Sequence, residues 1–238
     1  MIPIVSITDF VNGVISAAIA VMLISMYDRT RREGILLFAG FYLCFAVFWL
    51  LFAATETVFF DAPSITISAV IGYVFGFAAL FFLIQIPFLF LNKPRVGIAL
   101  SYAVALSGFI FLLGRIYEPA LDAKTVILPY VFWGEAYSSR LRIFPGLTAL
   151  VVFITFFCTF FYLSFTSNPR SGARRVAIKF CLGSGLLLLA STTFYFFSYG
   201  GFFASIISSV ICIIGLIIML FGVVDVLRER KANQLAEE

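Results

Sequence analysis

The sequence predicts an all-α integral membrane protein of seven transmembrane helices, with its N-terminus outside, its C-terminus in the cytoplasm and a long outer segment between helices four and five. Three observations predict it. Hydrophobic residues make up 63% of the chain and charged residues 12%, about half the charge of a soluble domain. The apolar residues fall into seven runs of about 20, the length that spans a ~30 Å hydrocarbon core. The charges lie between those runs, as they do when a bilayer replaces the polar exterior that a soluble fold of this length needs. One membrane domain, 1–238, is expected, with no soluble domain attached.

The first helix is expected over about residues 4–27, with Asp9 and Asn12 in its first turns. Met1 to Tyr27 holds no Lys or Arg. It therefore lacks the basic start of a cleavable signal peptide, and a retained anchor is expected. The second helix, about 35–55, carries Phe45, Phe48 and Trp49 and ends at Glu56, with Asp61 and Pro63 punctuating the turn that follows. The third, about 65–91, is interrupted by Gln85 and Pro87 and closed by Asn92-Lys93-Pro94-Arg95. The fourth covers about 96–114. Segment 115–145 then breaks the apolar pattern with Arg115, Glu118, Asp122, Lys124, Glu135, Arg140 and Arg142 around the apolar centre Ile127 to Trp133. It is long for a connection without structure of its own, so an interfacial helix or a hairpin folded over the helix ends is expected. Trp133 and Tyr137 suit the headgroup level. The fifth, sixth and seventh helices follow at about 146–165, 176–197 and 203–227. The charged tail, 228–238, is expected to continue the last helix into water.

Charge sets the orientation. The loops after helices one, three and five, together with the C-terminal end, hold Arg29, Arg31, Arg32, Lys93, Arg95, Arg170, Arg174, Arg175, Lys179, Arg228, Arg230 and Lys231, which is 12 of the 16 basic residues. The positive-inside rule places that side in the cytoplasm. A plasma or inner membrane is the expected location.

Much chemistry is excluded by what is missing. Histidine is absent, which removes His-ligated haem, His-based zinc or iron sites, His proton relays and every Ser-His or Cys-His nucleophile pair. Cys44, Cys158, Cys181 and Cys212 all fall in apolar runs with no Cys-x-x-Cys spacing, so they read as packing residues and neither a disulfide framework nor a metal site is expected. No Walker loop or dinucleotide fingerprint occurs. The seventh helix has no lysine before Lys231, which removes a retinal Schiff base. No catalytic residue, cofactor or metal is expected, the basic loops are those that insertion requires, and no nucleic-acid partner is implied.

Candidate sites follow from polar groups within the spans, which are costly there and functional by default. Asp9, Asn12, Glu56 and Arg115 sit at the outer helix ends and make a candidate outer ligand-binding pocket, against the plainer reading that each is an interfacial residue. Gln85 with Pro87 is the deepest strongly polar feature: proline frees the carbonyl of Leu83, which in lipid must find another partner. It is the candidate mid-membrane site, weighed against Gln85 bonding a neighbouring helix. Lys179 is expected to snorkel back to the basic loop, and Asp225 to pair with a Lys or Arg in water. Serines and threonines of the last two helices, Gly72 with Gly76, and Gly183 with Gly185 read as packing.

Three function classes remain, none of them an enzyme. The first is a receptor-like sensory or interaction module that signals through a membrane or cytoplasmic protein partner. The helix count, the orientation and the charged helix Asp225 to Lys231 leaving the membrane resemble the layout of the seven-helix input regions of bacterial sensor kinases. The second is a small-solute transporter, whose three-plus-one-plus-three layout is similar to that of sugar exporters. Those carry a Pro-Gln pair in each repeat, whereas this chain has Gln85-Ile86-Pro87 once and in reverse order. The third is an accessory subunit of a larger membrane complex. A transporter predicts a watery cavity reaching Gln85, a receptor predicts a closed core with a pocket under segment 115–145, and a subunit predicts neither.

Overall fold

A computed structural model describes residues 4–58, 62–117, 123–127, 130–134, 139–168, 172–197 and 202–237. The described chain is helical apart from one two-stranded hairpin. Its helices are α1 (Ile4–Thr30), α2 (Glu33–Thr57), α3 (Ala62–Phe90), α4 (Pro94–Tyr117), α5 (Ser139–Thr166), α6 (Gly172–Phe197) and α7 (Phe202–Glu237). All seven are long and apolar enough to cross a membrane. The protein is a polytopic helical protein of membrane character. Its exterior bears side chains such as Val21, Ile67, Tyr102, Phe109, Leu182 and Phe221, each more than half exposed. Apolar surface on that scale has its natural solvent in lipid.

Helix ends follow local chemistry. Arg31 ends α1 in the left-handed region, at φ 51°, and its N–H donates back to the Tyr27 carbonyl at 2.6 Å. Asn92 ends α3 in the same way at φ 56°, with the Lys93 N–H donating to the Phe88 carbonyl at 2.8 Å. This closure satisfies carbonyls that a helix end leaves open. Pro94 then starts α4, where its missing N–H costs nothing.

The segment expected to be irregular over 115–145 is shorter than that. Arg115 to Tyr117 complete α4, and Ser139 to Pro145 form the first two turns of α5. Between them, β1 (Ala123–Ile127) and β2 (Tyr130–Gly134) pair antiparallel, from Ala123 opposite Gly134 to Ile127 opposite Tyr130. Thr125, Val126, Ile127, Tyr130, Val131, Phe132 and Trp133 are β-branched or aromatic, the types that favour a pleated strand. Of the two forms expected for this segment the hairpin is found, and β2 packs against α1.

Six helices close a ring in the order α1-α2-α3-α5-α6-α7, with α7 returning to α1. Helix α4 packs in the groove between α3 and α5. It buries one narrow stripe, Gly97, Ser101, Val104, Gly108, Phe111 and Arg115. At Gly97 a side chain would meet the Gln85 backbone at 3.1 Å, and at Gly108 the Phe77 ring at 2.7 Å, so glycine lets α4 approach α3 closely. The interior is aromatic. Phe38 of α2 stacks on Phe180 of α6 at 5.2 Å, with Phe156 and Phe160 of α5 against the same ring at 6.0 and 4.8 Å. Tyr42, fully buried, donates its hydroxyl hydrogen to the Leu216 carbonyl of α7 at 2.8 Å.

Candidate functional site: an aromatic cavity and a polar seam on either side of α7

The bundle has two ends, one carrying the hairpin and the other the basic loops. In the hairpin half, between α2, α3, α5, α6 and α7, side chains leave a cavity. About 640 Å³ of space lies in it and at its mouth, and about 70 Å³ of that is open to the centres of water-sized atoms. One water needs roughly 10–15 Å³ by the second measure. Phe45, Phe48 and Trp49 of α2, Tyr73 and Phe77 of α3 and Phe153 of α5 form most of the wall. Ring follows ring along it: Phe45 and Phe48 stack at 5.8 Å, and Phe48 and Trp49 meet edge to face at 5.0 Å.

The remaining wall supplies a few polar atoms. Ser208 donates to the Ala190 carbonyl at 2.7 Å, joining α7 to α6. The Trp49 indole N–H and the Ser191 hydroxyl, both on cavity-lining residues, are buried and have no hydrogen-bond partner among the described residues. A buried donor without an acceptor costs about 1–3 kcal/mol. An apolar cavity with two unspent polar groups is the usual form of a small-molecule site: most of the wall is apolar, and a few polar groups fix orientation.

A polar seam lies on the other side of α7. Asp9 and Asn12 of α1 are 5% and 0% exposed. The Ser209 hydroxyl of α7 donates to Asp9 Oδ1 at 3.1 Å, and Asn12 Nδ2 donates to the Ser209 carbonyl at 3.4 Å. Two of the four residues expected at an outer pocket therefore meet, inside the bundle and with α7 as their partner. Arg115 is also buried, at 6%, but on α4, which packs against α3 and α5. The side chain of Glu56 lies outside the described residues.

Gln85 and Pro87 behave differently. Gln85 Nε2 donates to the Phe81 carbonyl of its own helix at 3.0 Å. Neither Gln85 nor Pro87 lines the aromatic cavity. Lys179 and Asp225 find each other across α6 and α7 at 2.5 Å, and the Lys179 ammonium lies 5.9 Å from the centre of the Phe221 ring. Lys179 was expected to turn back to the basic loop and instead meets Asp225; Asp225 was expected to pair with a Lys or Arg in water, and it pairs with a lysine at a site where its own side chain is only 13% exposed. Their helices cross closely: a Cβ on Gly183 would fall 2.9 Å from the Gly215 carbonyl oxygen, and a Cβ on Gly215 would fall 2.9 Å from that of Gly183.

The chain matches no protein-family model, and no curated protein matches its sequence.

Sequence reasoning missed Trp49, Ser191 and Ser16 as site residues. Trp49 was read only as part of an aromatic run, and Ser191 as packing. Ser16 carried a usable signal, because Ser6, Asp9, Asn12 and Ser16 recur at three, three and four residues and so share one face of a helix.

Proposed function

We propose that the chain is a receptor-like sensory module whose aromatic cavity takes a small apolar molecule carrying a hydrogen-bond acceptor, and whose last helix passes the response to a partner. The observation that carries this reading is the cavity with Trp49 N–H and Ser191 hydroxyl unspent in its wall. Both donors are enclosed as they stand, so a carbonyl or ether oxygen on the ligand would accept from either after a side-chain rotation, and the aromatic wall covers the rest. The charge count supports an N-terminus outside, which puts the cavity in the outer half. Helix α7 supplies Ser208 and Cys212 to the wall and runs on for 36 residues to Glu237. Its last 11 residues extend roughly 16 Å past the apolar span, at 1.5 Å each, as a handle for a protein partner. A transport path through Gln85 has less support, since that amide is spent on its own helix.

The two tryptophans make the test direct. Trp133→Phe leaves Trp49 as the single indole. In detergent micelles, 4-iodoacetophenone is expected to quench Trp49 fluorescence saturably. The matched aryl iodide without the carbonyl, 4-iodotoluene, is expected to bind about 3–10-fold more weakly, the factor for one hydrogen bond. Ala149→Phe, which fills the cavity, removes saturation. Quenching that rises linearly and ignores Ala149→Phe overturns the cavity reading. Spin labels at Arg95→Cys and Ala232→Cys then report α7: a distance distribution unmoved by saturating ligand overturns the receptor reading while leaving the binding intact.

A further inference from the structure

A second cavity opens at the end of the bundle that carries the basic loops. About 840 Å³ of space lies in it and at its mouth. About 300 Å³ of that is open to the centres of water-sized atoms, against about 70 Å³ in the aromatic cavity. The two linings share no described residue. The floor of this second cavity is apolar. Phe38 of α2, Phe180 of α6 and Val223 of α7 are buried, and Leu89 and Phe90 of α3 and Val226 of α7 stand around them. Phe38 and Phe180 stack at 5.2 Å and so bridge the interior of the ring. Arg32 and Glu33 are the charged residues of the described wall. Glu33 begins the apolar span of α2 and Val226 ends that of α7. The mouth therefore lies at the level of a membrane interface, where the head of an amphiphile belongs.

An occupant has to suit both parts of this wall. Hydrocarbon suits the floor, because it displaces water from apolar surface. Charge favours an anion at the mouth. Residues 28–33, 92–95, 168–179 and 225–238 hold 12 basic and six acidic residues, a surplus of six positive charges whatever pairs they form. Arg32 is already engaged within the chain, but a guanidinium carries five N–H donors and a carboxylate takes two of them. Glu33 beside it repels a doubly charged head more than a singly charged one. The lining comes from four helices of the ring, so the cavity takes one chain, and a two-chain lipid would have to pass its second chain between helices. We propose that this cavity binds a long-chain fatty acid, with its chain on the floor formed by Phe38, Phe180 and Val223 and its carboxylate at Arg32. The site is separate from the aromatic cavity and rests on no part of the receptor reading.

The test uses the full chain with Trp49→Phe, Trp133→Phe and Phe90→Trp. This leaves one indole, at the mouth, where Phe90 is 40% exposed. In micelles of a neutral detergent at about pH 8.5, 9,10-dibromostearate is expected to quench that indole saturably. Its methyl ester, with the same chain and no charge, is expected to bind about tenfold more weakly, the low end of the factor for hydrogen bonds to a charged group. Arg32→Gln is expected to bring the acid down to the level of the ester and to leave the ester unchanged, whereas a general loosening of the cavity would weaken both. Gly34→Phe fills the cavity from a position where a Cβ has room, with Leu89 Cδ1 at 3.9 Å, and is expected to abolish saturation for both probes. Quenching that rises linearly and ignores Gly34→Phe overturns the site. Equal saturable binding of acid and ester overturns the anionic head. Saturation by a lysophosphatidylglycerol carrying the same dibromo chain, where the free acid shows none, overturns the fatty acid and assigns the head to a phosphate. If Arg32→Gln does not fold, the acid-to-ester ratio and Gly34→Phe decide.

Discussion

Adding one methyl group at Gly183 separates close packing from mere proximity in the α6–α7 pair. A Cβ built there falls 2.5 Å from Met219 Cγ, 2.9 Å from the Gly215 carbonyl oxygen and 3.1 Å from the Met219 nitrogen. The methionine side chain can swing away. The two backbone atoms cannot, so the helices must separate by several tenths of an ångström along their crossing. Overpacking of this kind costs about 1–3 kcal/mol. At about 2–4 °C per kcal/mol for a chain of this size, Gly183→Ala is expected to lower the unfolding midpoint by roughly 2–12 °C. Gly34→Ala supplies the control, because among the described residues the one neighbour of its Cβ is Leu89 Cδ1 at 3.9 Å. There the gain in helix propensity, up to about 1 kcal/mol, meets no clash, and the midpoint should hold or rise. Gly215→Ala repeats the Gly183 clash from the other side, and once the helices have parted the second methyl finds room. The double variant should therefore lose less than the sum of the single variants, by more than about 0.5 kcal/mol. Thiol-reactive thermal unfolding in one detergent reads all four proteins. A Gly183→Ala chain as stable as Gly34→Ala, or strict additivity with Gly215→Ala, would refute the close crossing.

Two other substitutions follow from pairs the structure brings together. Asp225→Asn strands the Lys179 ammonium, whose side chain is 31% exposed; the expected loss, about 1–2 kcal/mol, lies between the values for exposed and buried pairs. Replacing both partners, Lys179→Met with Asp225→Leu, should restore the midpoint to within about 1 kcal/mol, and a double variant worse than Asp225→Asn would show that the pair is not what the single variant broke. Gln85→Leu removes only the bond to the Phe81 carbonyl and should shift the midpoint by less than about 1 kcal/mol. A Gln85→Cys that reacts with water-soluble thiol reagents in a cysteine-free background would instead reveal a watery path and revive the transport reading.

The seven spans were legible because a bilayer imposes one strong condition, a long apolar run, on each helix separately. Their ends were less legible. Residues such as Glu33, Ser139, Arg140 and Arg142 are polar and belong to helices, and hydropathy alone cannot separate a helical turn at the headgroup level from a loop. The hairpin was open for the same reason. Its β-branched and aromatic residues suit a strand, yet five-residue strands are too short to establish a period against an interfacial helix. The ring order, with α4 outside it, depends on which glycines meet which rings, as at Gly97 and Gly108, and no periodicity in one helix encodes its partner.

The sites divide along the same line. Asp9 and Asn12 were found because a carboxylate and an amide in an apolar helix stand out by residue type alone. The partner, Ser209, lies 200 positions from Asp9 along the chain and looks like any other small packing residue of a membrane helix. Gln85 stood out by type as well, and the structure gives it a local bond, because a long amide can reach back one turn and satisfy itself. Asn12 has a shorter side chain and is fully buried, so its amide nitrogen finds the Ser209 carbonyl while its Oδ1 has no hydrogen-bond partner among the described residues. The difference between a self-satisfied amide and an open one is a matter of reach and enclosure.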